Sequence, residues 1–196
     1  MSTHIRVSEI LAQFKDFSTI NPKVLNTKAA IGTEVHHNIH MHTKGVFPVH
    51  EMYPNYDRST TEITSWEERG EGYLNSYLAY DKKEKPKYQL MEHRLYDDNL
   101  MITGQIDGLR VMDGLPMLID FKCSYSVDKE IWGMQAHYYK HLLEVNGIQI
   151  ADTFLFLQLK KDGKKPTLVE IKFDEEVMSR CINEAILFWE RKKDAK

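Results

Sequence analysis

The sequence predicts an α/β domain: a mixed sheet flanked by helices, with a helical arm on its N-terminal side. Three observations predict it. Up to about Lys87 the apolar residues recur at helical spacing, and beyond it they alternate as in strands. Two Asp-Gly pairs, at 113–114 and 162–163, each separate two strand-like runs, which is a strong hairpin signal. A helix-length segment, residues 127–147, separates the third strand from the fourth, long enough for the right-handed crossover that sets two strands parallel.

Taken in order, "VSEILAQF" reads as a short helix with Ser8 as its candidate N-cap. "NTKAAIGTEVHHNIHMHTKG" reads as a longer one, capped by Asn26 or Thr27 and stopped by Gly45, with Ala30, Val35 and Ile39 on its apolar stripe. A loop follows, punctuated by Pro48 and Pro54. "TEITSWEERGEGYLNSYLAYDKK" is helical, with Trp66, Tyr73, Leu74 and Tyr77 on the face that packing requires. "KYQLMEHRLY" and "LMITGQIDGLRVM" are strands joined by Asp97-Asp98-Asn99, and "LPMLIDFKCS" is a third after Asp113-Gly114. The crossover helix takes Ser126 or Asp128 as cap and Asn146-Gly147 as stop. "IADTFLFLQLKK" and "PTLVEIKF" form a second hairpin, and a helix capped by Asp174 closes the chain.

At 196 residues, with 42% hydrophobic and 28% charged residues, the chain suits a single domain over 1–196. Residues 1–87 are mainly helical arm and 88–196 the sheet core. No apolar run approaches the roughly 18–20 residues that span a bilayer. Arg6 and Glu9 interrupt any secretory leader, so a cytosolic protein is expected. Two cysteines, Cys123 and Cys181, are too few for a disulfide framework, a zinc knuckle or an iron–sulfur cluster, and reduced thiols are expected. The net charge of −3 excludes a basic protein, so any nucleic acid would be drawn by local patches or metal ions. Candidate patches are Lys82, Lys83, Lys85 and Lys87, and Lys160, Lys161, Lys164 and Lys165; solvated faces are the plainer reading of both.

Charge sits where burial is expected. A two-residue turn at Asp113-Gly114 pairs Asp107 with Asp120, and alternation puts Lys122 on the same face of its strand as Asp120. A buried like-charge pair costs several kcal/mol unless a proton or a cation compensates. Oxygen ligands favour Mg²⁺ or Mn²⁺. An ordinary Asp–Lys ion pair on a wet sheet face is the competing reading. His36 and His40, one helical turn apart, could pinch a metal, whereas His37 and His42 should point elsewhere.

Four motifs then occur in order: "GTEVH" (Gly32–His36), "GQID" (Gly104–Asp107), "DFK" (Asp120–Lys122) and "QAHYY" (Gln135–Tyr139). Together they resemble the RecB-like branch of the PD-(D/E)XK nucleases, and "VSEIL" is similar to the short N-terminal helix of its small phage and mitochondrial exonucleases. The resemblance implies a restriction-endonuclease-like fold: a three-strand meander, a crossover helix and two further strands. It implies His36, Asp107, Asp120 and the Phe121 carbonyl as ligands of Mg²⁺ or Mn²⁺, with Glu92 as an outer acidic residue. Lys122 would position or deprotonate the attacking water or stabilise charge on the scissile phosphate. Gln135 and Tyr139, on one helix face, would line the site.

The function so implied is metal-dependent hydrolysis of DNA phosphodiester bonds in recombination, repair or replication, by an exonuclease rather than a structure-specific endonuclease. The missing cysteines place the chain with cluster-free members. A protein partner from recombination or replication, a homo-oligomer, and a phage source acting in the bacterial cytoplasm fit the same resemblance. A non-catalytic nucleic-acid or protein-binding module on this scaffold is the alternative, and the retained ligands and lysine argue against it.

Overall fold

The computed structural model describes residues 4–46, 70–112 and 114–194. The expected loop with Pro48 and Pro54, Trp66 with the first part of its helix, and the turn residue Asp113 lie outside them. The elements in chain order are β1 (Ile5–Arg6), α1 (Val7–Ala12), α2 (Pro22–Thr43), α3 (Gly72–Glu84), β2 (Lys87–Asp97), β3 (Ile102–Val111), β4 (Met117–Lys122), α4 (Lys129–Val145), β5 (Thr153–Gln158), β6 (Thr167–Lys172) and α5 (Glu175–Asp194).

The strands form one six-stranded mixed sheet. β2 pairs antiparallel along β3. The other edge of β3 takes β1, parallel at Ile102–Thr103, and β4, antiparallel at Gly108–Arg110. The crossover through α4 sets β4 and β5 parallel, and β6 returns antiparallel as the last strand. The meander, the crossover and the second hairpin are therefore as the sequence predicts. The hairpin register is also the one a turn at 113–114 demands, with Gly108 opposite Ile119 and Arg110 opposite Met117.

Helices cover both faces, which is why β4 and β5 read as nearly unbroken apolar runs. Leu118, Phe154 and Phe156 pack with Trp132, Tyr138 and Leu142 of α4 and with α1 and α5. Ile119, Phe121, Leu155 and Leu157 face the other way, against α2 and α3. Ile31, Val35 and Ile39 fasten α2 to that face, each burial contributing about 1.5–3 kcal/mol.

Two local expectations need correction. The second helix begins at Pro22, not at Asn26 or Thr27: Asn21 caps it by accepting the Lys23 N–H at 2.9 Å, Pro22 fits the first turn, and the Thr27 hydroxyl donates back to Lys23 O inside the helix. Ser8 lies within α1, whose N-cap is Arg6 and carries no side-chain cap. Residues 5–6, to which the sequence pattern assigns no element, form β1, which is too short to show a period; Ile5 N–H donates to Met101 O at 2.9 Å. The other caps are as expected: Asp128 accepts the Ile131 N–H at 3.0 Å, and Asp174 accepts the Glu176 N–H at 2.8 Å. Among the described residues no helix is long and apolar enough to cross a membrane.

Candidate active site

The ladder between β3 and β4 stops at Gly108–Ile119, one pair short of Asp107 and Asp120. Two carboxylates cannot close that rung without repulsion. Instead, Asp107 Oδ2 accepts the Phe121 N–H at 2.7 Å, so a side chain takes the place of a backbone acceptor. The Phe121 carbonyl faces His36 of α2, whose Nε2 lies 2.8 Å away, while Nδ1 lies 3.2 Å from Asp107 Oδ1. Val35 and Ile39, packed against the sheet, hold the imidazole at this seam.

Asp120 and Lys122 meet α4. Lys122 Nζ lies 2.6 Å from Asp120 Oδ1 and donates to Gln135 Oε1 at 2.6 Å, with the Phe156 ring 5.5 Å away. Gln135 Nε2 donates to Asp120 Oδ2 at 3.1 Å and to the Tyr139 hydroxyl at 3.2 Å. The spacing of four residues puts Gln135 and Tyr139 on one face of α4, and that face meets the glycine of "GQID". A Cβ on Gly104 would stand 2.7 Å from the Tyr139 ring and 3.0 Å from Leu142. Gly104→Ala should therefore push Tyr139 off its seat and destabilise the fold by about 1–3 kcal/mol. A urea titration beside the wild type measures it, and an unchanged midpoint would contradict the close packing.

Glu92 completes the acidic group. It is a strand residue with φ of +50°, a left-handed conformation that costs about 1–2 kcal/mol in a side-chain-bearing residue. Ligand atoms of His36, Glu92 and Asp107 lie within 4.8 Å of one another. Gln105 donates to Glu92 Oε2 at 2.5 Å and accepts from Arg94 at 2.8 Å. The sequence reading missed Gln105. Its only signal is position, two residues before Asp107 and on the same side of β3.

The electrostatics follow from crowding. Burial works against charge on His36, but the Asp107 carboxylate, its hydrogen bond, and the charges of Asp120 and Glu92 raise its pKa to about 9. Burial would raise Asp107, yet His36 and then Lys122 and the Phe121 N–H hold it below the usual carboxylate range. Burial and the facing Asp107 charge push Asp120 up to about 6 despite Lys122. Burial, then the Asp107 charge, likewise raises Glu92. Within this cluster, the buried oxygens Glu92 Oε1 and Asp120 Oδ1 lack a hydrogen-bond donor, although the second is ion-paired to Lys122. Hard oxygens, one imidazole and unspent acceptors suit a divalent cation such as Mg²⁺ or Mn²⁺.

The structure thus brings His36, Glu92, Asp107, Asp120, Phe121, Lys122, Gln135 and Tyr139 into one connected cluster. It leaves His40 outside the ligand group: His40 lines a cleft of about 800 Å³ that opens beside His36, Glu92 and Asp107. His37, expected to point elsewhere, lines that cleft too. His42 points away, with Nε2 3.0 Å from Asp81.

No protein-family model matches this sequence, and no curated protein does. Solved structures do. A putative exonuclease from Eubacterium rectale superposes with a TM-score of 0.57 at 9% identity, over 97% of this chain and 80% of that one. The fold is restriction-endonuclease-like. An alkaline exonuclease from Laribacter hongkongensis matches with a TM-score of 0.47 at 15% identity, over 99% and 90% of the two chains. The protein SSO0001 matches with a TM-score of 0.36 at 16% identity over 59% of this chain, which spans 56% of its length.

Proposed function

We propose that this chain is a divalent-metal-dependent deoxyribonuclease of the RecB-like PD-(D/E)XK type, acting on DNA ends as an exonuclease in recombination, repair or replication. One observation carries the reading: the carboxylates of Asp107 and Asp120, the His36 imidazole and the Phe121 carbonyl converge at the seam where β3 and β4 part, beside the Lys122 ammonium. A buried acidic pair of this kind calls for a cation, and a lysine pinned next to it has a task besides packing.

His36, Asp107, Asp120 and the Phe121 carbonyl would hold Mg²⁺ or Mn²⁺, with Glu92 at the outer side. When bound, the ion supplies positive charge against the phosphodiester oxygens and lowers the pKa of the attacking water. The protein's own groups do the rest. Asp120 and Gln135 fix the Lys122 ammonium, which orients the water and counters charge on the scissile phosphate. Tyr139 steadies the Gln135 amide, so that its oxygen faces Lys122 and its nitrogen faces Asp120. The cleft along Glu92 and Asp107 gives the DNA access.

End-labelled linear duplex, single-stranded DNA and a closed circle, each with Mg²⁺, Mn²⁺ or EDTA, test this. Linear DNA should be degraded from its ends only when metal is present, and the circle should survive. Cleavage of the circle would turn the assignment to an endonuclease, and intact DNA under every condition would end the nuclease reading.

A further inference from the structure

The chain leaves Lys122 into the connection Cys123–Asp128 before α4 begins. That connection is tied down. Gln158, paired with Lys122 across the parallel strands, donates from Nε2 to Ser124 O at 3.0 Å and to Tyr125 O at 2.8 Å. Gln158 Oε1 accepts from Lys160 Nζ at 2.7 Å, and the Ser124 hydroxyl donates to Ser126 O at 3.0 Å. A buried amide, braced by Lys160, thus holds the Tyr125 carbonyl, while the Tyr125 ring stands in solvent. Tyr125 is 103% exposed, twice the value of Leu115 at 52%, which follows it among the described large apolar side chains. Packing does not account for this, because the ring buries no surface.

The surroundings select the ligand. Three residues separate Tyr125 from Lys122, so their Cα atoms lie at most about 11 Å apart, about three nucleotides of a stacked strand. Lys15 lies within electrostatic range of Lys122, Asp120 and Asp128. Lys160 and Lys161 follow β5 at the same end of the sheet, and Lys161 has no acidic partner within ion-pair distance among the described residues. An exposed aromatic ring three residues beyond Lys122, on a connection that Gln158 links to Lys160, suits a nucleobase stacked on the ring with its phosphates on the cations.

We infer that Tyr125 is a stacking platform for an unpaired base next to the scissile phosphodiester, so that the site takes single-stranded ends or frayed duplex ends. This rests on the nuclease reading and names the substrate feature that it would recognise. Its test is binding of the full chain, with Ca²⁺ in place of Mg²⁺, to a single-stranded oligonucleotide carrying 2-aminopurine near its end. Wild type should quench the 2-aminopurine on binding. Tyr125→Ala should bind roughly ten- to hundredfold more weakly and lose the quenching, while Tyr125→Trp restores both. Tyr125→Ala that binds and quenches like wild type overturns the platform and leaves the nuclease reading in place. Wild type that neither binds the oligonucleotide nor cleaves it with Mg²⁺ or Mn²⁺ overturns both.

Discussion

Lys122→Ala is expected to slow metal-supported cleavage by about 10²–10⁴-fold, with the far-UV spectrum and the folded baseline preserved. The ammonium stands at the end of β4, held by Asp120 and Gln135 and lying over the Phe156 ring. None of these contacts builds the sheet, whose β4–β5 ladder is backbone pairing. Under the proposed mechanism, removing the amine takes away the group that would orient water and counter phosphate charge, and it leaves the rest of the acidic cluster standing. Lys122→Arg should not rescue, because a planar guanidinium does not fit a site shaped for a point charge between one carboxylate and one amide. Initial rates on linear DNA under saturating Mg²⁺ or Mn²⁺ measure the loss. A variant retaining wild-type rates would remove lysine from the chemistry.

Asp120→Asn should abolish cleavage and, with metal stripped by EDTA at pH 7.5, make the protein more stable. The carboxyl holds its proton to about pH 6 in the folded chain against an ordinary value of 3.8. Its contribution therefore favours folding most below about 3.8 and is lost as pH rises through about 6. At pH 7.5 Asp120 is ionised against Asp107 at a cost of about 3 kcal/mol, which the neutral amide does not incur. For a chain of this size that is a rise in Tm of roughly 6–12 °C. His36 titrates on the alkaline side: raised to about 9, it supports folding below its ordinary 6.5 and stops doing so as pH rises through 9. Adding Mn²⁺ should raise the Tm of wild type and leave that of Asp120→Asn nearly unchanged. An Asn variant less stable than wild type in EDTA would show that the carboxylate was not under strain from its neighbour.

Much of this was readable in the sequence for a physical reason: hairpins and crossovers leave periodic marks. Asp-Gly at 113–114 carries the register that brings Asp107 and Asp120 near each other, and alternation then aims Lys122 at α4. Other features leave no such mark. β1 has only two residues. The start of α2 was legible in Asn21-Pro22, but a second cap-like pair, Asn26-Thr27, sits one turn inside the helix and competes for the same reading. The left-handed backbone of Glu92 and the irregularity near Gln89 leave no local pattern in the sequence. Glu92 and His36 come from separate elements, β2 and α2, so their proximity is set by tertiary structure.

The two outermost strands carry a further consequence. β6 follows Pro166 and presents Thr167, Glu170 and Lys172 to water, while β2 follows Pro86 and is broken by its irregularity near Gln89. Proline, alternating charge and a bulge each discourage a neighbour from docking backbone to backbone. Growth of the molecule into ribbons or fibrils by strand addition is thereby disfavoured at both rims.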